Sequence, residues 1–317
     1  MIMILFFLLL LITPVIVSSQ EEPPEVPDGY SSMTTMKIAY FFGSLDLLEK
    51  EFPVPDDIDQ YKDIVYRAID STELKLDIYH LKDIKESAPL LIFIHGGGWK
   101  KGDKHDYLRY LVDFARKGYI TATVQYRFVD KVKFPAQILD VKAAVKWLKE
   151  NADEYHIDNN NIAVIGGSAG GHLSMMTGYT SDVSEFNEDS LTSYNVQAVV
   201  NLYGPSDLTT EYAREHSTIK RFIGRSYDEV PGVYAKASPI TYITSDDPPT
   251  LIFQGTIDEL VPVSQSDNLK KKLKRTGVNV EYHRLEGWPH TMDLEVEVNE
   301  YCQYYMDRFF EKYLTKE

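Results

Sequence analysis

Ile165-Gly166-Gly167-Ser168-Ala169-Gly170-Gly171-His172 decides the reading of this chain. It carries the pattern Gly166-x-Ser168-x-Gly170. The apolar run Asn161-Ile162-Ala163-Val164-Ile165 before it reads as a buried strand, and Leu173-Ser174-Met175-Met176-Thr177 after it reads as the start of a helix. A serine on a tight turn between strand and helix is a nucleophile elbow, which lifts the hydroxyl out of the sheet to where a substrate can reach it. The glycines at 166 and 170 fit that turn, because bulky side chains there would clash where strand and helix approach. The pattern alone is a weak signal, since small residues around a serine are often only a turn. The strand before and the helix after are what give it weight.

Working outward, β and α signals alternate from Ile64 onward. Ile64–Tyr66 and Leu74–Tyr79 read as an antiparallel pair around a turn at Asp70-Ser71. Leu90–Ile94 is continuously apolar, as expected of a strand covered on both faces. Residues 106–117 read as helix and Tyr119–Val124 as strand. Ile138, Val141, Val145 and Leu148 fall at helical spacing. Strands follow at 196–202, 250–254 and 278–285, with helices at 263–275 and from Glu295 onward. Residues 36–50 are weakly helical, and 206–240 are irregular and polar without a clear period. This alternation predicts an α/β fold with a mostly parallel central sheet and helices on both faces. The 206–240 stretch is expected as a small cap insertion over the carboxyl ends of the strands, where ligand sites of open α/β sheets lie.

A serine nucleophile needs a base, the base needs an orienting acid, and the transition state needs an oxyanion hole. His95-Gly96-Gly97-Gly98-Trp99 follows the strand ending at Ile94, and a glycine-rich turn exposes backbone N–H groups that can converge on an oxyanion. The competing reading, a phosphate cradle, is disfavoured because no Gly-Lys-Ser/Thr follows. The N–H of Ala169, directly after the serine, is the second donor. The acid candidate is Asp258, in Gly255-Thr256-Ile257-Asp258 just after a strand; Asp207 and Glu259 are its rivals. The base candidate is His290, in Gly287-Trp288-Pro289-His290 after the last strand. The order Ser, Asp, His is the order this elbow-bearing fold uses. Of the other seven histidines, His95 reads as a brace for its glycine loop and His172 as packing at the helix start, with the remaining five at the surface or in loops.

The totals bound the class. The chain has 317 residues, 44% of them hydrophobic, enough for one large α/β domain. A formal net charge of -15 argues against nucleic acid or anionic lipid as partner. The single cysteine, Cys302, excludes an intramolecular disulfide and multi-thiolate zinc sites, and it lies at helical spacing with Val298, Tyr305 and Phe309 as a small core residue. Ile2–Ile12 is almost continuously apolar, and Val17-Ser18-Ser19 offers a cleavage site before Gln20. Residues 1–19 therefore read as a secretory signal peptide, although no Lys or Arg precedes the apolar run; an uncleaved anchor is the alternative. The acidic, proline-rich stretch within 20–35 reads as a disordered linker, leaving 36–317 as a single domain.

Together these residues resemble an α/β-hydrolase of the esterase/lipase group with a His-Gly-Gly-Gly oxyanion motif. His95–Trp99 with Gly102-Asp103, Tyr126-Arg127, Phe134-Pro135-Ala136-Gln137, Gly166–Leu173, Tyr203-Gly204-Pro205-x-Asp207 and Val261-Pro262 narrow the resemblance to the BD-FAE-like family, over about residues 60–290. That family includes secreted carbohydrate acetyl and feruloyl esterases and resembles kynurenine formamidases. The resemblance implies Ser168, Asp258 and His290 as the catalytic serine, aspartate and histidine, and Gly97, Gly98 and Ala169 as the oxyanion hole. Residue 254 is Gln where relatives often have His. Trp99 and Trp288, on the two loops flanking the site, are the candidate substrate-binding residues. No metal or organic cofactor is implied. The expected function is a secreted serine esterase, extracellular or periplasmic, acting on short acyl or hydroxycinnamoyl esters of plant polysaccharides. An arylformamidase or general carboxylesterase is the alternative, and a catalytically silent binding module the alternative of another class. After signal cleavage no membrane partner is expected.

Overall fold

The computed structural model describes residues 22–49, 52–189 and 193–314; the expected signal peptide, 1–19, lies outside them. Among the described residues, eight strands form one sheet: β1 (Ile58–Ile69), β2 (Thr72–Leu81), β3 (Ala88–Ile94), β4 (Ile120–Val124), β5 (Ile157–Gly167), β6 (Ala198–Leu202), β7 (Thr250–Gly255) and β8 (Val280–Leu285), in the order β1-β2-β4-β3-β5-β6-β7-β8. β1 and β2 pair antiparallel around Asp70-Ser71, β2 pairs antiparallel with β4, and every later pairing is parallel. All seven residues of β3 are buried, as a strand covered on both faces requires.

The helices are α1 (Met33–Phe41), α2 (Leu108–Arg116), α3 (Ala136–Glu150), α4 (Ala169–Tyr179), α5 (Glu211–Glu215), α6 (Ser217–Ile223), α7 (Pro231–Lys236), α8 (Ser264–Thr276) and α9 (Val296–Tyr313). On one face of the sheet, Leu90, Ile92, Ile94 and Val164 pack with Ile138, Val141 and Val145 of α3 and Leu173 and Met176 of α4. On the other, Leu91, Phe93, Ile165 and Val200 pack with Leu111 and Phe114 of α2 and with Cys302, Met306, Phe309 and Phe310 of α9. The alternation of side chains along each strand is what divides one apolar run between two cores.

The register places the site. β3 lies between β4 and β5, and the chain leaves β3 toward one neighbour and returns to the other, so a crevice opens at the carboxyl ends of β3 and β5. Ile94 is opposite Gly166, Gly167 opposite Leu202, and Gly255 opposite Leu285. The loops after β3, β5, β6, β7 and β8 therefore emerge along one edge.

Two readings change. The 206–240 stretch is not irregular throughout but contains α5, α6 and α7, helices of 5, 7 and 6 residues, too short to display a period in sequence. The described part of the expected linker is docked. Pro27 is buried, its carbonyl accepts the Trp288 indole N–H at 3.0 Å, and the Tyr30 N–H donates to Gly287 O at 2.9 Å with its ring edge-on to Trp288 at 5.7 Å. Composition alone pointed to disorder, but a buried indole N–H needs an acceptor, and this segment supplies it.

Candidate active site

Ser168 joins β5 to α4 at φ 55, ψ -118, a backbone conformation that L-residues adopt only under constraint. The constraint is visible on both sides: the Ser168 N–H donates to Leu202 O at 2.8 Å, and Ser168 O accepts the His172 N–H at 3.0 Å as α4 begins. A Cβ on Gly166 would strike the Gly170 backbone, and one on Gly170 would be driven into Ile94 O. Strand and helix thus meet at the distance the sequence pattern required.

The loop after β3 lies alongside. Gly97 takes φ 101, open only to glycine at low cost, and its carbonyl accepts the N–H groups of Lys100 and Lys101. His95 braces this loop as expected. Its Nδ1 meets Gly96 O at 2.9 Å, its ring stacks on Tyr126 at 4.4 Å, and Tyr126 Oη donates to His95 O at 3.0 Å. Among the described residues, the N–H groups of Gly97, Gly98 and Ala169 donate to no protein acceptor, and all three residues line the same cleft as Ser168. Partnerless N–H groups beside a serine, one of them at a helix N-terminus, can receive an oxyanion.

Asp258 and His290 meet at the same edge: His290 Nδ1 lies 2.6 Å from Asp258 Oδ2. Asp258 is held from three directions. Oδ1 accepts the N–H groups of Leu260 and Val261, each at 2.8 Å, and Oδ2 accepts Gln254 Nε2 at 3.1 Å. Gln254 is itself oriented by Ser266, whose hydroxyl donates to Gln254 Oε1 at 2.9 Å. The glutamine that departs from the family pattern thus braces Asp258. His290 and Ser168 both line the cleft, although no hydrogen bond joins them among the described residues; such contacts tighten when substrate binds. The rival acids point elsewhere: Asp207 Oδ1 accepts the N–H and hydroxyl of Thr209, and Glu259 is exposed.

The cleft is open and measures about 940 Å³. Its wall includes Tyr212, His216, Thr218 and Ile219 from the cap, Tyr107 and Tyr110 from the side of α2, and Leu48 and Phe52 from the N-terminal segment. Trp99 lines it, yet the ring is only 3% exposed and stacks on Phe222 at 4.3 Å, so it shapes the wall without offering an open face. Trp288 is corrected as a substrate-binding candidate: it is buried, tied to Pro27, and does not line the cleft. Its neighbour relation to His290 in sequence could not show that its side chain turns away. Sequence reasoning missed the cap residues, the N-terminal rim and Asp293, three residues beyond His290. Among the described residues no group of three His, Cys, Asp or Glu could hold a metal ion.

His172 ties the elbow helix to the cap. Its Nε2 lies 2.8 Å from Ala237 O, and its ring stands edge-on to Trp99 and Phe222. Burial pushes its pKa down to about 4. An unfolded chain takes up that proton near the ordinary value of about 6.5. Between these values the unfolded state binds more protons, so stability falls as pH is lowered from 6.5 to 4, by on the order of 3 kcal/mol from this residue. Half-buried His283, also pushed down to about 4 by desolvation, acts in the same sense. Urea midpoints measured from pH 7 to 4 are expected to drop, and His172→Gln is expected to flatten part of that slope; an unchanged slope would remove His172 as its cause.

Comparison with known proteins bears on this geometry. The BD-FAE family model matches residues 76–273, a span that holds the glycine loop, Ser168 and Asp258 and stops short of His290. Esterase LipC of Mycobacterium tuberculosis is 37% identical over 231 residues, covering 69% of this chain and 57% of that protein. The probable carboxylic ester hydrolase LipM of the same organism is 34% identical, with 53% of its length covered, so the chain spans little more than half of these relatives. Among solved structures, a truncated carbohydrate esterase from gut microbiota superposes with a TM-score of 0.71 at 28% identity, covering 84% of this chain and 100% of that one. Thermogutta terrifontis esterase 2 phosphonylated by cyclosarin superposes with a TM-score of 0.70 at 26% identity, covering 84% and 98%. With the sheet order, the elbow and the glycine loop in place, the chain belongs to the BD-FAE family and has the α/β-hydrolase fold.

Proposed function

We propose that this protein is a serine ester hydrolase. The observation that carries the reading is the Asp258–His290 contact of 2.6 Å in a cleft shared with a serine at φ 55 and with the unpartnered N–H groups of Gly97, Gly98 and Ala169. His290 takes the Ser168 proton as Ser168 Oγ attacks the ester carbonyl. The three N–H groups receive the oxyanion, and Asp258 stabilises the imidazolium while holding its Nδ1 proton. Collapse of the tetrahedral intermediate returns the proton from His290 to the leaving alcohol. Water, activated by the same histidine, then clears the acyl-enzyme.

For substrate, the reading is a short acyl or hydroxycinnamoyl ester of a plant polysaccharide, acted on outside the cell. It is supported by the carbohydrate esterase among the similar structures and by the open cleft, whose rim mixes aromatic and hydroxyl groups from Tyr212, Thr218 and Phe52. Export is supported by the apolar N-terminal run and the small residues before Gln20. A panel of acetylated xylan, methyl ferulate, short and long chromogenic esters and N-formylkynurenine tests it. Turnover is expected on the sugar and short-chain esters; a preference for N-formylkynurenine would move the protein to the formamidases. Active chain recovered outside the cell is expected to begin at Gln20.

A further inference from the structure

Asp293 sits on a single 3-10 turn, Met292–Leu294, that follows His290 through Thr291 at φ 57. It is buried, and no Lys or Arg pairs with it among the described residues. Its carboxylate accepts a hydrogen bond from Tyr203 Oη, and Tyr110 Oη approaches at 3.5 Å. Asn299 Nδ2 on α9 donates to Asp293 O at 3.0 Å and fixes the turn. Tyr203 is the first residue after β6, held at φ 45 with its N–H on Phe253 O at 2.8 Å. Its ring stands edge-on to the His290 ring at 4.7 Å. A Cβ on Gly167 would meet both Tyr107 Oη and Tyr203 Oη, so the phenols lie against the residue preceding Ser168.

The charges around this carboxylate are few. From α2 and the turn before it come Tyr110 and Tyr107, from the end of β6 Tyr203, from α9 Cys302 and Asn299, and from its own loop His290. Burial pushes the phenols and the Cys302 thiol up, which keeps them neutral. It also raises the Asp293 carboxyl, and the neighbouring His290 and Tyr203 oppose that rise. An unpaired buried carboxylate is costly, and among the described residues His290 is the one group facing it that becomes a cation.

We propose that Asp293 is a positioning residue for proton transfer: through Tyr203 it holds the His290 ring, and as an anion it stabilises the imidazolium that forms when His290 takes the Ser168 proton. Asp293 neither gains nor loses a proton in the step. The proton passes from Ser168 Oγ to His290 Nε2 as the Oγ–carbonyl carbon bond forms, and leaves with the alcohol. The inference rests on the base assignment under Proposed function, and its test is built to separate the two.

Wild type, Asp293→Asn and Tyr203→Phe are compared by NMR titration of the His290 ring carbons and by the pH profile of kcat/KM on a short chromogenic ester, with near-UV circular dichroism to check folding. In Asp293→Asn the His290 titration midpoint and the acid limb are both expected to move down by about one pH unit, the scale set by losing one nearby opposite charge. Tyr203→Phe removes the donor that favours the Asp293 anion, so it shifts both in the same direction and decides the matter if Asp293→Asn does not fold. A merely structural Asp293 would lower kcat and thermal stability while leaving the His290 midpoint in place, and that result overturns the proposal. The NMR midpoint reads the coupling of the two side chains whether or not Ser168→Ala abolishes activity, so failure of the triad reading remains distinguishable.

Discussion

Ser168→Ala is expected to remove turnover almost completely, by about 10⁴-fold or more, while the protein folds as before. The fold survives because alanine carries the same Cβ as serine, so the backbone at φ 55 meets no new restriction. The hydroxyl itself donates and accepts no hydrogen bond among the described residues, so its loss leaves no buried partner unsatisfied. Steady-state hydrolysis of a chromogenic acetyl ester reads the loss, and an alkyl phosphonate is expected to label wild type and not the variant. A variant keeping more than about a hundredth of wild-type turnover would place the nucleophile elsewhere.

Asp258→Asn is expected to cost about 10³–10⁴-fold in kcat, the second large effect. The hydrogen bonds around the carboxylate say why. Oδ1 accepts two backbone N–H groups, from Leu260 and Val261, so the carbonyl oxygen of an asparagine is drawn to that position. The amide NH₂ then faces His290 Nδ1 and Gln254 Nε2, both of which met an acceptor before. Imidazole can satisfy such a donor only by leaving Nδ1 bare and carrying its proton on Nε2, the atom that must receive the serine proton. Gln254 cannot relieve the clash by turning over without losing the Ser266 hydroxyl from its Oε1. Kinetics of Asp258→Asn beside Asp207→Asn and Glu259→Gln check the assignment. Asp207 serves Thr209 and Glu259 faces solvent, so each is expected to lose far less. A large loss at Asp207 alone would move the acid to the loop after β6.

The sheet and the elbow were legible in the sequence because both are written in local signals. The continuous run Leu90–Ile94, short and rich in β-formers, fits a strand buried on two faces, and Gly166 and Gly170 bracket a serine where the backbones of β5, α4 and β3 nearly touch. The meeting of Asp258 and His290 was legible because each follows a strand at the carboxyl edge, and strand register brings such loops together whatever their distance in sequence. What escaped is long-range and side-chain specific. Nothing in Gly287-Trp288-Pro289-His290 says that the indole turns toward Pro27 while the imidazole turns to the cleft, since neighbours in a loop need not share a direction. Asp293 read as one acidic residue among 48 Asp and Glu, and only the contact with Tyr203, 90 positions earlier, singles it out. The cap helices escaped because five to seven residues hold too few turns for apolar spacing to repeat.

The docking of Pro27 and Tyr30 on Gly287 and Trp288 redraws where this chain can be cut. A shortened chain begun at residue 36, where the sequence places the domain boundary, would leave the Trp288 indole N–H without its acceptor two residues ahead of His290. Recombinant versions and fusion tags therefore need to keep everything from before Pro27 onward. The same segment gives directed evolution a handle on the histidine loop from outside the cleft, through substitutions at positions 26–30 that never touch a substrate.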